Sequence, residues 1–344
     1  MNKQLFIAIL LLLILIFCKI LCKKKEQKPK RYLKSYKGAV KNDNSIFVNL
    51  ASYRDTQCTE TLHSLFKNAH NPSNIVVGVC QQNMLNREDC AVMAYKDRIR
   101  LLQLDYDEAR GPCYARYLAS CLFKGESYYM QIDSHTRFAK NWDRDLIHMM
   151  KTLNDSKSVI TYYPQPFNVN TGEPERGGST VPKICGSKVN DRGMIEFTAK
   201  EIKRIENVIE NRHPGLSCGF FFMTGQAVID TPYDPDLDWL FQGEELLYAA
   251  RLYTRGYNFY APNKNIVYHY YERKNQPKFW DDLKDFYRRE RDQSRETFNR
   301  ILGLNSRGKP EIGTYGLGMN RSLEDYWNYL GFDPVNRKVV KTHC

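Results

Sequence analysis

Short apolar runs alternate with helically spaced apolar positions along most of this chain. Ile46-Phe47-Val48-Asn49-Leu50-Ala51 reads as a buried strand, and Leu62, Leu65, Phe66 and Ala69 then recur at helical spacing between Gln57 and Ala69. Ile75 to Val79 and Ile99 to Leu104 predict two further strands. Pro112 to Phe123 predicts a helix, with Gly111 before it and Pro112 suited to its first turn. The strand Tyr128 to Asp133, the helix Trp142 to Leu153 and the strand Val159 to Tyr163 follow. Such alternation predicts an α/β fold with a mostly parallel, doubly wound sheet. Ligands of such sheets lie beyond the carboxyl ends of the strands, where Asp133 and Ala51 to Asp55 fall.

The second half is less regular. Pro164 to Asp191 is rich in Gly, Pro, Asn and Thr and reads as a long surface excursion, a candidate lid. Phe220 to Thr224 and Asn265 to Tyr270 read as strands. Glu244 to Arg255 reads as a helix closed by Gly256, and Trp280 to Ile301 as one charged amphipathic helix. A short helix is expected around Ser322 to Leu330, and there are no internal repeats.

The N-terminus changes the picture. Leu5 to Phe17 is continuously apolar and extends through Cys18, Ile20, Leu21 and Cys22 with only Lys19 inside it. No small-x-small cleavage site follows, so residues 1–22 are expected to be a transmembrane anchor and not a cleaved leader. Residues 23–44 read as a basic flexible stem. Between Lys19 and Lys41 stand ten basic residues and one acid, Glu26, which supply nine of the twelve formal net charges. The rest of the chain is near balance, so the charge argues for a membrane-flanking segment and against a nucleic-acid partner. The positive-inside rule would keep the following domain in the cytosol. Golgi-type enzymes run the other way, and the lumenal orientation is the expectation adopted. Eight cysteines lie beyond the anchor without a Cys-x-x-Cys pair, which suits lumenal disulfides better than structural zinc.

Candidate chemistry centres on Gln131-Ile132-Asp133-Ser134-His135. An Asp-x-His pair at a strand tip can place a carboxylate and an imidazole on one divalent cation such as Mn²⁺, and such an ion neutralises a diphosphate. The bland alternative is an exposed turn. His269, after a predicted strand, can complete the metal site or be a half-buried histidine among tyrosines. Arg54 and Arg116 are candidates for phosphate or sugar contact through their planar forks, against a surface ion pair. Glu244 and Glu245 open a helix, where the dipole alone would favour acids, and are candidates for the sugar or acceptor pocket. Trp239 is among the aromatic residues suited to sugar stacking or to core packing.

Taken together, Ser52-Tyr53-Arg54-Asp55, Glu108-Ala109-Arg110-Gly111-Pro112-Cys113-Tyr114-Ala115-Arg116, Gln131 to Phe138, Gly313 to Gly318 and Arg321 to Tyr326 resemble the polypeptide α-N-acetylglucosaminyltransferases. That family includes the Skp1 hydroxyproline enzyme and Golgi enzymes acting on threonine. The run Cys218-Gly219-Phe220-Phe221, Phe241-Gln242-Gly243-Glu244-Glu245 and Val267-Tyr268-His269 is more distantly similar to polypeptide GalNAc-transferases. The Trp and Asn of their Trp-Gly-Gly-Glu-Asn segment are not kept in place. The resemblance implies a GT-A type glycosyltransferase fold over 45–344, a UDP-GlcNAc donor, Mn²⁺, a polypeptide hydroxyl as acceptor and retention of configuration. Asp133, His135 and His269 would hold the metal. Arg54, Arg116, Asp133 and Trp239 would contact substrate, and Glu244 and Glu245 would serve the reacting sugar. Alternatives are another UDP-sugar, a glycan acceptor, or a silent membrane-tethered scaffold.

Overall fold

The computed structural model describes residues 30–84, 90, 93–273, 276–304 and 309–344. The expected anchor at 1–22 and residues 23–29 lie outside the described residues. Among those described, no helix is long and apolar enough to cross a membrane.

The chain opens with β1 (Ile46–Tyr53), whose side chains are buried on both faces, as a central strand covered by helices requires. It is followed by α1 (Cys58–Asn68), β2 (Ile75–Asn83), β3 (Ile99–Asp105), α2 (Pro112–Ser120), β4 (Tyr128–Asp133), β5 (Thr136–Phe138), α3 (Trp142–Leu153) and β6 (Ser158–Thr161). Next come β7 (Gln165–Pro166), β8 (Thr180–Val189), β9 (Ile195–Lys203), β10 (Arg212–His213), β11 (Phe220–Thr224), α4 (Gly225–Asp230), α5 (Glu244–Thr254), β12 (Asn258–Tyr260) and β13 (Val267–His269). The described chain finishes with α6 (Phe279–Asp282), α7 (Lys284–Ile301), α8 (Leu323–Leu330), β14 (Phe332–Asp333) and β15 (Lys338–Val339).

Eight strands form the main sheet in the order β10-β12-β6-β11-β4-β1-β2-β3. β1, β2, β3 and β4 run parallel, whereas β11 is antiparallel to both β4 and β6. The sheet is therefore mixed and mostly parallel, as the alternation predicts. Phe47, Tyr129, Phe221 and Val159 face one core with α2, α5 and α8. Val48, Leu50, Met130, Ile132, Phe220 and Phe222 face the other with α1 and α3. The period-two alternation along each strand thus feeds two apolar layers.

Three readings need correction. The expected lid at Pro164–Asp191 holds β7 and β8, the first strand of the antiparallel β8–β9 hairpin, with a bulge between Ile184 and Gly186. The hairpin is anchored, since Val181, Ile184 and Cys185 are buried and Cys185 forms a disulfide with Cys344. Cys58 is likewise joined to Cys90. The single helix expected over Trp280–Ile301 breaks at Leu283, whose φ of −117° and ψ of 36° lie outside the helical region, because that residue turns into an apolar cluster with Trp239 and Phe286.

Residues 31–44 have no helix or strand, as a stem would, but they are held and not free. The Arg31 and Leu33 N–H groups donate to the phenol oxygens of Tyr114 and Tyr117, each at 2.9 Å, and both phenols donate back to the carbonyls of the same residues. Arg31 also forks onto Glu108 at 2.9 and 3.0 Å. The tyrosine-rich outer face of α2 is what captures this strap.

A chain starting at Ser45 lacks those bonds. At roughly 1 kcal/mol for each net hydrogen bond, it should be about 2–4 kcal/mol less stable to urea than a chain starting at Lys30. Coincident unfolding curves would show that the strap contributes nothing.

Candidate active site

β1 and β4 pair in parallel with Ala51 opposite Asp133, so both strands end at one level. The turn after β4 is pinned from α1: the Thr61 hydroxyl donates to the Ser134 carbonyl at 2.8 Å and accepts from the Thr136 N–H at 2.9 Å. The chain reverses into β5, and β13 pairs antiparallel to it with His269 opposite Thr136. The ladder continues as the Tyr270 N–H donates to the His135 carbonyl at 3.1 Å. This register carries His269 across more than a hundred residues of sequence to the tip of β4.

Asp133, His135 and His269 consequently offer one carboxylate and two imidazoles, with ligand atoms all within 4.8 Å of one another. Asp133 Oδ2 is 3.0 Å from His269 Nε2, while Nδ1 of His269 is buried without a hydrogen-bond partner. His135 Nδ1 lies 2.7 Å from Asp55 Oδ2, which leaves Nε2 as its coordinating nitrogen. Asp55 also accepts from the Ser134 hydroxyl at 2.7 Å and lies 3.4 Å from Arg273. This donor set, with a carboxylate orienting one imidazole, fits a borderline divalent cation.

Arg116, one turn into α2, bridges two carboxylates. Its Nη2 meets Asp133 Oδ1 at 2.7 Å and its Nη1 donates to Glu244 Oε2. Burial would push the Asp133 carboxyl up, but the His269 hydrogen bond and the Arg116 charge override it and hold the group well below the usual carboxylate range. A Cβ on Gly219 would crowd this carboxylate, at 3.3 Å from Asp133 Oδ2. Gly243, with φ of +94°, precedes α5, and a Cβ there would meet Met194 at 2.7 Å.

The cluster floors a cleft of about 290 Å³ lined by Ala51, Tyr53, Gln82, Pro112, Tyr270, Tyr271, Arg273, Lys278 and Trp280, among others. Arg273 also lines this cleft; its Nη2 is in ion-pair range of Asp55, while its buried Nε–H has no hydrogen-bond partner. Arg116, Asp133 and Phe241 also line a second cavity of about 290 Å³, whose far side is built from Tyr163, Glu245 and, on the β8–β9 hairpin, Lys188, Glu196 and Phe197. The Glu245 carboxylate accepts from the Tyr163 hydroxyl and from the Cys218 N–H, the latter at 2.9 Å.

Of the residues expected at the site, Asp133, His135, His269, Arg116, Glu244 and Glu245 come together. Arg54 does not line the cleft. It pairs with Asp282 at 2.7 Å and lies over the Tyr106 ring, because its φ of 46° turns the chain after β1. Trp239 is 1 % exposed and packs against Phe279 and Phe286, so it supports the wall from behind. Tyr163, one of the aromatic residues suited to sugar stacking or core packing, lines the second cavity. Asp55 and Arg273 were not singled out; Asp55 had a signal, as an acid in the strand-end segment, whereas Arg273 had none.

The sequence profile of the family described as Glycosyltransferase (GlcNAc) matches residues 45–96 and 88–336. No curated protein matches the chain by sequence. Among solved structures, GalNAc-T7 with UDP, GalNAc and Mn²⁺ is 15 % identical with a TM-score of 0.51, covering 73 % of this chain and 51 % of that one. The chain thus spans about half the length of that protein. S. aureus TarS 1–349 in complex with UDP-GlcNAc is also 15 % identical with a TM-score of 0.51, covering 85 % of this chain and 72 % of that one. At this identity the likeness concerns the fold, a GT-A type arrangement of sheet and helices.

Burial raises the Glu245 carboxyl to about 7 against the opposition of its Tyr163 and Cys218 donors. Between its ordinary value of 4.5 and about 7 the folded chain holds a proton that the unfolded chain has released. This group therefore makes stability fall as pH rises through that window. Glu245→Gln mimics the neutral acid, so its melting temperature should fall less from about pH 5 to about pH 7 than that of the wild type. Parallel curves for the two proteins would show that Glu245 is ionised in the fold throughout.

Proposed function

The chain belongs to the GlcNAc glycosyltransferase family, and on that premise we propose that it transfers N-acetylglucosamine from UDP-GlcNAc, with retention, to a hydroxyl of hydroxyproline, threonine or serine in a polypeptide. The observation that carries this reading is the wall shared by the two cavities. Arg116 and Asp133 separate a cation-rich cleft suited to a nucleoside diphosphate from a second cavity suited to the sugar and its acceptor. The UDP, GalNAc and Mn²⁺ of the GalNAc-T7 structure and the UDP-GlcNAc of the TarS structure support a UDP-sugar donor and Mn²⁺ as the ion.

Asp133, His135 and His269 would hold the ion, with Asp55 keeping the His135 ring in place. Bound there, it would supply positive charge for the diphosphate as that group leaves. Arg273, held beside Asp55, and Lys278 add positive charge on the same side, fixed before any substrate arrives. The bond between the anomeric carbon and the β-phosphate oxygen breaks, and the acceptor oxygen bonds to the same face. The acceptor proton passes to the departing phosphate oxygen. A front-face route is favoured because the acids lining the two cavities are all engaged among the described residues. Asp133 and Glu244 are on Arg116, Glu196 is on Lys188 and Asn190, and Glu245 is on Tyr163. None stands free as a nucleophile. The two disulfides favour an oxidising lumen for this domain, with the N-terminal segment as its membrane anchor.

The test is UDP release from a panel of UDP-sugars by the protein lacking residues 1–29, with Mn²⁺ or with EDTA. UDP-GlcNAc should be hydrolysed only with metal, and Asp133→Ala should abolish release. Release from a different donor would reassign the sugar, and neither release nor UDP binding would leave a silent scaffold. Separately, Asp55→Asn should weaken Mn²⁺ binding about 10- to 100-fold by calorimetry, and an unchanged affinity would remove Asp55 from the site.

A further inference from the structure

We infer that the groove between the β8–β9 hairpin and α7 binds an acidic stretch of the polypeptide acceptor; this rests on the acceptor being a polypeptide, as proposed above. The groove adjoins the second cavity, because Phe241 and Gln242 line both. A chain whose hydroxyl reaches that cavity can continue into the groove without crossing the donor cleft.

Cations dominate its rim. Arg291 and Arg295 project from α7 with side chains 40 % and 41 % exposed, and Arg192 stands exposed on the hairpin turn. Arg295 donates to the Arg192 carbonyl at 3.2 Å, and Arg337 donates to the carbonyl of the neighbouring Gly193, which brings a fourth guanidinium to the same turn. Lys188 continues the line into the second cavity. Asp292 is weakly held, 3.5 Å from Arg291 and 4.0 Å from Arg295 while 70 % exposed, whereas Glu196, 3.7 Å from Lys188, is kept in place by the Asn190 amide at 2.6 Å. Exposed pairs such as those of Asp292 exchange readily for a ligand carboxylate.

The floor is apolar, with Trp239 almost wholly buried beneath the groove. Guanidinium forks above such a floor suit glutamate or aspartate side chains on an extended peptide.

The experiment is fluorescence anisotropy on the full chain without any donor sugar. The probe is a labelled short peptide of glutamates around one threonine, compared with its glutamine and lysine counterparts. The glutamate peptide should bind about tenfold more tightly than the glutamine one, the joint effect of three exposed ion pairs. Added salt should erode that preference. The double variant Arg291→Glu with Arg295→Glu should abolish it, while lysine at both positions should keep most of it. Thermal unfolding checks that the variants are folded, and Arg192→Glu on the exposed turn repeats the test if the double variant melts early. Equal binding of the glutamate and glutamine peptides, or a preference that survives charge reversal, overturns the inference. Tighter binding of an oligothymidine overturns it in favour of a nucleic acid. With no donor present, the result stands apart from UDP-sugar hydrolysis, so the failure of either reading is visible separately.

Discussion

The Asp133 carboxylate is the constraint around which the site is arranged. It ends a central strand, where burial pushes its carboxyl up, and the His269 hydrogen bond and Arg116 charge override that push and keep it ionised. The elements that carry the partners therefore cannot be placed independently. α2 must begin at Gly111-Pro112 so that Arg116 falls one turn in and points at the strand end. β13 must pair with β5 in a single register, because a slip of one residue would set a tyrosine opposite Thr136 and turn the imidazole to the other face. A Cβ at Gly219 would press on the carboxylate at 3.3 Å. The small β5-β13-β7 sheet and the start of α2 are thus tied to one charge.

Much of this was legible in the chain. Trp142–Leu153 is a helix over the residues its apolar spacing indicates, and the buried runs at Ile46, Ile75 and Tyr128 became parallel neighbours. Asp133 and His135 announced themselves by interrupting an apolar run at its end. The β8–β9 hairpin was hidden for a physical reason. Its bulge between Ile184 and Gly186 breaks the alternation that marks a strand, and its second strand runs exposed over Ala199, Lys200 and Glu201. Arg54 and Asp55 illustrate a finer limit. The chain turns with a positive φ at Arg54, so adjacent side chains diverge, one to Asp282 on the surface and the other to His135 in the cleft. Residue type alone does not say which neighbour faces inward. Trp239, also at positive φ, is turned into the core in the same way.

Arg116 is what makes the two cavities one site. Its two terminal nitrogens are divided between Asp133, on the side of the cation-binding cluster, and Glu244, at the start of the helix that walls the second cavity. An anion entering the first cleft and a group entering the second therefore meet the same guanidinium. No moving segment is needed for such coupling, since a single planar side chain with a fixed set of donors is shared out. On the proposed chemistry this arrangement links departure of the diphosphate to the state of the acceptor pocket. A buried Arg in that position is then more than a counter-charge, because lysine, with one point charge, could neutralise Asp133 but could not hold both carboxylates in plane at once.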